Sequence, residues 1–308
     1  MLATTPMSAL ELCDAIKNGK PFDASRLSRI LGLDAMHGLL EVQAATPWHA
    51  IAAELRPGDA RANVRTTMAT VGESLARNAA GPDGTPAVNH VASLTVVTPD
   101  GELRRVSRQR HRDLFALIVG GHGLFGTVYS ITLRIATLAR AVERSMQPQE
   151  MTLRKCRANR ALELLIPPET LDAFVKETDT RCSDWRIPLQ SVGVRQTVRE
   201  DDTYLRWARR DYAEVRLALA EPTGLGAAVR GTQLRHELID AAIEAGGSFQ
   251  IACTPEATRE QTEACYPQLK SFLAEKRRFD PQERLVNGWY LHQRALLNRA
   301  NCEVRWTN

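Results

Sequence analysis

The residues most able to do chemistry in this chain sit in two small-residue runs. The first is Gly120-Gly-His-Gly-Leu-Phe-Gly126, where Gly121, Gly123 and Gly126 reproduce the letters of a dinucleotide fingerprint. That fingerprint works only between a preceding strand and a following helix, whose N-terminus meets the pyrophosphate. Here the order is reversed. Asp113 to Val119 reads as a short buried helix, and Tyr129, Ile131, Leu133 and Ile135 alternate with Ser130, Thr132 and Arg134 as a half-buried strand. The glycines therefore serve close backbone approach to a partner or ligand. The second run is Thr70-Val-Gly-Glu-Ser-Leu-Ala-Arg-Asn-Ala-Ala-Gly81, followed by the turn Pro82-Asp-Gly84. Such a run can present N–H groups to a phosphate or ring edge, or pack as a small-residue helix on a sheet. His122 can face a ligand or sit in a surface loop. No G-x-S-x-G nucleophile and no metal-ligating pair at i, i+4 is present.

The elements that must position these runs are readable. Met7 to Lys17 and Pro47 to Leu55 have helical periodicity, with a strand at Leu39–Ala44 between them. Ser93–Thr98, Pro-Asp100-Gly101 and Glu102–Val106 form a hairpin, because Asp-Gly tolerates the positive φ of the turn. Residues 1–136 thus read as one α+β domain, and 137–160, rich in Arg, Lys and Gln, as a crossover. From 161 to 255 the order is strand Leu162–Ile166, a helix from Pro167-Pro168 to Arg181, and strand Leu189–Val198. A helical segment at Thr203–Arg209, strand Tyr212–Leu219, helix Gln233–Glu244 and strand Ser248–Thr254 complete it. That is a ferredoxin-like split βαβ order, an antiparallel sheet with helices on one face. Residues 256–308 read as a helical segment, Thr258 to Arg278 broken at Pro267, with an aromatic tail (Trp289, Tyr290, Trp306) docking back. Lys276-Arg-Arg278 reads as a solvated helix end.

With 308 residues, 44% hydrophobic and 25% charged, the chain has the composition of a globular protein of about two domains. Its 40 basic and 36 acidic residues are interspersed, so the net charge of +4 points to no nucleic acid. No apolar run reaches membrane-spanning length, and the N-terminus lacks the regions of a signal peptide. Six cysteines (13, 156, 182, 253, 265 and 302) lack zinc-like spacing and read as plain thiols, with Cys253 in a strand. A cytoplasmic protein acting on a small molecule is the simplest expectation; the oligomeric state stays open.

Taken together, Leu40-Glu-Val-Gln-Ala-Ala-Thr-Pro-Trp48, Thr70-Val-Gly-Glu-Ser74, Ser93 to Gly101, Asp113-Leu-Phe115 and Gly120 to Gly126 resemble FAD-linked oxidoreductases of the vanillyl-alcohol-oxidase/PCMH superfamily. The likeness continues in Ile166 to Phe174, Leu238 to Gly247, Ala257 to Gln261 and Asn287-Gly-Trp-Tyr290, covering roughly residues 23–290. The resemblance implies an α+β chain with a two-lobed PCMH-type FAD-binding domain and the ferredoxin-like part as a cap over the flavin. It implies FAD as cofactor, contacted by Thr70, Val71, Gly72, Glu73, Ser74, Asn78 and Gly81 along the pyrophosphate and ring. Gly121, Gly123, Gly126 and Val128 would lie at the adenosine end, with Asn287 near the ring. Tyr290, Arg195 and His122 would be the polar groups beside substrate or flavin. The implied reaction is hydride transfer to FAD from a hydroxyl-bearing carbon of a sugar, polyol, alcohol or hydroxy acid; the alternative is a degenerate, FAD-free homologue acting as a binding or partner protein. Three departures stand out: Glu73 and Ala80 replace a usual glycine and histidine. The usual glycine-rich pyrophosphate loop before the strand at Phe22–Ile30 has no counterpart, Asn18-Gly-Lys-Pro21 being a poor substitute.

Overall fold

The computed structural model describes residues 3–56, 68–81, 84–146 and 161–298. Its first lobe is built on five strands: β1 (Ile30–Asp34), β2 (Leu39–Gln43), β3 (Val91–Val97), β4 (Leu103–Ser107) and β5 (Thr127–Arg134). They pair antiparallel in the order β1-β2-β5-β3-β4. The β3–β4 hairpin turns at Asp100-Gly101, where Gly101 takes φ +81°, as the Asp-Gly pair requires. Helices α1 (Ala9–Lys17), α2 (Trp48–Leu55), α3 (Val71–Ala76), α4 (Arg112–Ile118) and α5 (Ile135–Met146) belong to the same lobe. Leu40, Val42, Leu94, Val96 and Ile131 from the sheet are fully buried in one core with Ile51, Leu75 and Phe115.

The second lobe holds β6 (Leu162–Ile166), α6 (Leu171–Asp184), β7 (Leu189–Thr197), β8 (Tyr212–Leu219), α7 (Ala227–Glu244) and β9 (Ser248–Phe249). Its sheet runs β7-β8-β6-β9, with every pair antiparallel. This is the ferredoxin-like arrangement, because the first strand pairs with both the third and the last. Leu162, Leu164, Val215 and Leu217 share one face and are buried with Phe174, Leu234 and Leu238 of the two helices. Glu163, Glu214, Arg216 and Arg195 occupy the other face, which turns toward the first lobe. Helices α8 (Arg259–Cys265), α9 (Leu269–Phe279) and α10 (Gly288–Asn298) follow.

Several expectations need correction. Residues 137–146 form part of α5, since Leu138, Ala141 and Val142 are buried at helical spacing; residues 147–160 lie outside the described ones. Phe22–Ile30 is not a strand: Phe22 makes an isolated bridge to Thr4, and a 3₁₀ turn capped by Asp23 covers Ala24–Arg26. Thr203–Arg209 is a series of turns, organised by Glu200 accepting from Asp202 N, Thr203 N and the Thr203 hydroxyl. The last strand of the second sheet has only two residues, and Cys253 lies in the turn that follows it. Lys276 is not solvated. It continues the buried stripe of Leu269, Phe272 and Leu273 on α9, and its ammonium is paired with Asp280. Cys156, Cys302, Trp306 and the turn residues Pro82 and Asp83 fall outside the described residues.

Candidate functional site

The two small-residue runs meet. Gly120 N donates to Leu75 O at 2.8 Å and His122 N to Ala76 O at 2.9 Å, so the second run is bonded to the C-terminal end of α3. The first run folds as a short capped helix on the sheet. Thr70 Oγ1 accepts from Glu73 N at 3.3 Å while Glu73 Oε2 accepts from Ala69 N and Thr70 N, a reciprocal capping box. The Glu73 carboxylate thus turns back on its own helix start. Val71 N donates to Thr46 O and Gly72 N to Ala44 O. Ser74 Oγ accepts from the Trp48 indole at 2.9 Å and donates to Thr70 O at 3.2 Å.

Asn78 is the most constrained residue of the run. Its φ is +47° and it is buried, yet every polar group is engaged. Oδ1 accepts from Val88 N at 3.0 Å, Nδ2 donates to Glu200 at 3.2 Å, and its carbonyl accepts from the Trp207 indole at 3.0 Å. Asn78 therefore ties the first lobe to the turns after β7. Gly81 N donates to Thr85 O, and Gly81 O accepts from Arg195 Nη1 at 2.9 Å. A Cβ on Gly72 would sit 2.7 Å from Ala44 O, and one on Gly121 would sit 1.8 Å from Leu117 O. Both glycines answer to backbone packing within the protein. Gly126 lies close to Val97 O, Gly123 faces open space with φ +75°, and the half-buried Val128 pairs with Val96 across β5 and β3.

The other predicted site residues gather at two places. His122, also at positive φ, stacks on Trp289 with ring centroids 3.9 Å apart. Burial, helped by the charge of Arg77, pushes its pKa down to about 3, so the ring is neutral. Asn287 Nδ2 donates to His122 O at 2.7 Å, and Asn287 Oδ1 accepts from Tyr290 N. The fully buried Tyr290 phenol donates to Glu283 at 2.7 Å, beside Arg294. Tyr290, Asn287 and His122 thus pin α10 onto the glycine run. Arg195 is elsewhere: it pairs with Glu214 at 2.5 Å on the inner face of the second sheet.

That inner face forms one wall of a cleft between the lobes. A cavity of about 1000 Å³ is lined by Arg77, Glu163, Arg216 and Cys253 among others, and a crevice of about 20 Å³ continues it to Ala79, Ala80, Arg195 and Glu214. Strand alternation places Glu163 opposite Arg216 and Glu214 opposite Arg195 on this face. Glu163 is desolvated and lies beside the Glu214 charge, which together raise its pKa against the opposing pull of Arg216, Arg195 and the Cys253 thiol. The Cys253 thiol is pushed up to about 12, chiefly by burial and then by Glu163. Sequence reasoning missed Glu163, Glu214, Arg216 and Arg77. The alternating charges in Leu162-Glu163-Leu164 and Glu214-Val215-Arg216 carried the available signal. A second cavity, about 490 Å³, is lined by Asp201, Asp202, Arg199 and Arg206. There both arginines pair with Asp201, and Asp202 pairs with Arg108. Among the described residues no cluster suited to a metal ion occurs, and no helix is long and apolar enough to cross a membrane.

Residues 9–107 match the FAD binding domain family. A FAD-linked oxidoreductase of Chaetomium globosum is 49% identical over 49 residues, a segment that is 16% of this chain and 8% of that relative's length. On these matches the N-terminal third of the chain is similar to FAD binding domains, and the cofactor those domains point to is FAD. The structure fits that cofactor unevenly. The cavity of about 1000 Å³ has room and polar walls for a small molecule, but it is lined by the second lobe and Arg77, and the crevice that continues it to Ala79 and Ala80 holds only about 20 Å³. The pyrophosphate end does not fit: the amides of Val71, Gly72, Gly81, Gly120, Gly121 and His122 are all spent on the chain's own carbonyls.

Proposed function

We propose that this chain is the FAD-binding and substrate-covering part of an oxidoreductase. Its substrate is a small molecule whose hydroxyl-bearing carbon is oxidised, a sugar, polyol, alcohol or hydroxy acid. Bound FAD supplies the hydride acceptor in such proteins. The observation that carries the reading is the carboxylate-bearing wall of the second sheet facing residues 77–80, in a chain whose first third matches the FAD binding domain family. Glu163 has the right chemistry for the hydroxyl proton, because burial and Glu214 raise its proton affinity toward the working range of a general base. Arg195 is a positioning residue. It neutralises Glu214 and clamps the wall to Gly81 O, leaving Glu163 as the less compensated carboxylate. His122, Asn287 and Tyr290 act in the same sense by seating α10 against the glycine run. A cytoplasmic setting suits the unpaired thiols of Cys13, Cys182, Cys253 and Cys265.

The commitment of the amides at 71–72 and 120–122 favours a second reading, an FAD-free homologue that uses the same cleft as a binding protein. One titration separates the two. Purified protein that carries flavin absorbance, or takes up added FAD stoichiometrically and is bleached anaerobically by a hydroxyl-bearing substrate, supports the oxidoreductase. Protein that stays colourless and leaves FAD fluorescence unchanged overturns it in favour of the second reading.

A further inference from the structure

We infer that the cleft between the lobes takes a hydroxylated carboxylate, with Arg77 holding the carboxylate and Glu163 the hydroxyl. The inference deepens the proposed function by naming the substrate class of that same site, though it does not require bound flavin. It starts from the charges around the cavity. Arg195 is matched by Glu214 at 2.5 Å, Arg235 by Glu256 at 3.2 Å, and Arg216 reaches Glu163 only loosely at 3.7 Å. Glu221 is exposed at the rim. Arg77 differs from all of these. It follows α3 as its C-terminal cap residue, lines both the cavity and the inner crevice, and among the described residues its guanidinium has no ion pair or side-chain hydrogen bond.

An arginine at the mouth of a crevice, with Arg195 and Arg235 matched and Arg216 already facing Glu163, is a seat for one anion. A planar carboxylate suits its two-pronged donor geometry. The second contact follows from chemistry on the facing wall. Glu163 and the Cys253 thiol lie together and line both spaces with Arg77. A ligand anchored on Arg77 therefore presents its neighbouring atoms to a half-buried carboxyl, which favours a hydroxyl and repels a second anion. The volume of about 1000 Å³ admits a ligand of sugar size.

The experiment uses gluconate as probe, with sorbitol as the neutral polyol and hexanoate as the carboxylate without hydroxyls. Binding to the purified chain is measured by calorimetry. The inference expects gluconate to bind at least tenfold more tightly than either comparison compound. Arg77→Gln should weaken gluconate at least tenfold and leave sorbitol unchanged, Arg77→Lys should keep part of the affinity, and Glu163→Gln should abolish the advantage of gluconate over hexanoate. Gluconate binding no more tightly than sorbitol, or unaffected in a folded Arg77→Gln or Arg77→Lys protein, overturns it. Uptake of FAD is followed on the same preparations. Flavin uptake without gluconate preference defeats this inference alone, whereas gluconate preference without flavin uptake defeats the oxidoreductase reading alone.

Discussion

Replacing Asn78 tests whether the small-residue run is built for the protein or for a ligand. Alanine there leaves the Val88 N–H unpaired in a buried site, a loss of about 1–3 kcal/mol. It also removes a donor from the buried Glu200 carboxylate, about 1.5–3 kcal/mol for a bond to a charged group. Holding alanine at the left-handed φ of +47° adds strain, about 1–2 kcal/mol. Because the terms share one network they do not simply add, and a total of roughly 3–6 kcal/mol is expected. For a chain of this size that corresponds to a fall in Tm on the order of 10 °C. Asn78→Gly suffers the same hydrogen-bond losses without the strain, so it should be the more stable of the two by about 1 kcal/mol. The assay is thermal and urea unfolding of wild type, Asn78→Ala and Asn78→Gly with no nucleotide present. If Asn78→Ala unfolds within about 1 kcal/mol of wild type, a smaller loss than one buried unpaired amide implies, and loses only FAD uptake, Asn78 is a ligand contact and the reasoning fails.

Three further outcomes are expected. Gly121→Ala should destabilise the protein strongly without any cofactor, because the new Cβ would lie 1.8 Å from Leu117 O; a fully stable variant with impaired flavin binding would reverse that account. Glu163→Gln should raise stability at pH 8, and the gain should vanish as the pH falls below the ordinary glutamate range. The folded pKa of Glu163 is raised, so its stabilising contribution is present at low pH and lost as the carboxyl ionises; urea midpoints across that range check the slope. His122 works in the opposite direction: its pKa is lowered to about 3 in the folded protein, so stability is present above pH 6.5 and lost progressively as the pH drops toward 3. His122→Asn, which tolerates the positive φ, should flatten that acid limb while lowering stability at pH 7.5 through loss of the Trp289 stack; an unchanged acid slope would show that His122 does not set it.

What could be read from the sequence divides by the range of the forces involved. The Asp100-Gly101 hairpin, the alternation of β5 and the ferredoxin-like order of the second lobe are local patterns, and they are present as read. The reversal of helix and strand around Gly121-x-Gly123-x-x-Gly126 also holds, with α4 before it and β5 after. Thr70-x-x-Glu73 carries the letters of a capping box, and of the two readings the run allowed it is the small-residue helix packed on the sheet that is present. The rest depended on tertiary pairing. Thr203–Arg209 looks helical until Glu200 gathers the amides that a helix would have used internally. Lys276 looks solvated until α9 is docked and Asp280 meets it. The charged wall of the cleft arises only when β6, β7 and β8 fall into register, which no single segment encodes.

The seam between the lobes also decides how a ligand must travel. Val198 N donates to Gly84 O, Tyr204 N to Ala116 O, the Trp207 indole to Asn78 O and Arg195 to Gly81 O, so one edge of the cleft is stitched by four bonds along its length. A clamshell motion would have to rip all of them at once. The exposed Arg216 and Thr232 line the cavity away from that seam, so residence time becomes a matter of the side chains a ligand passes rather than of hinge stiffness.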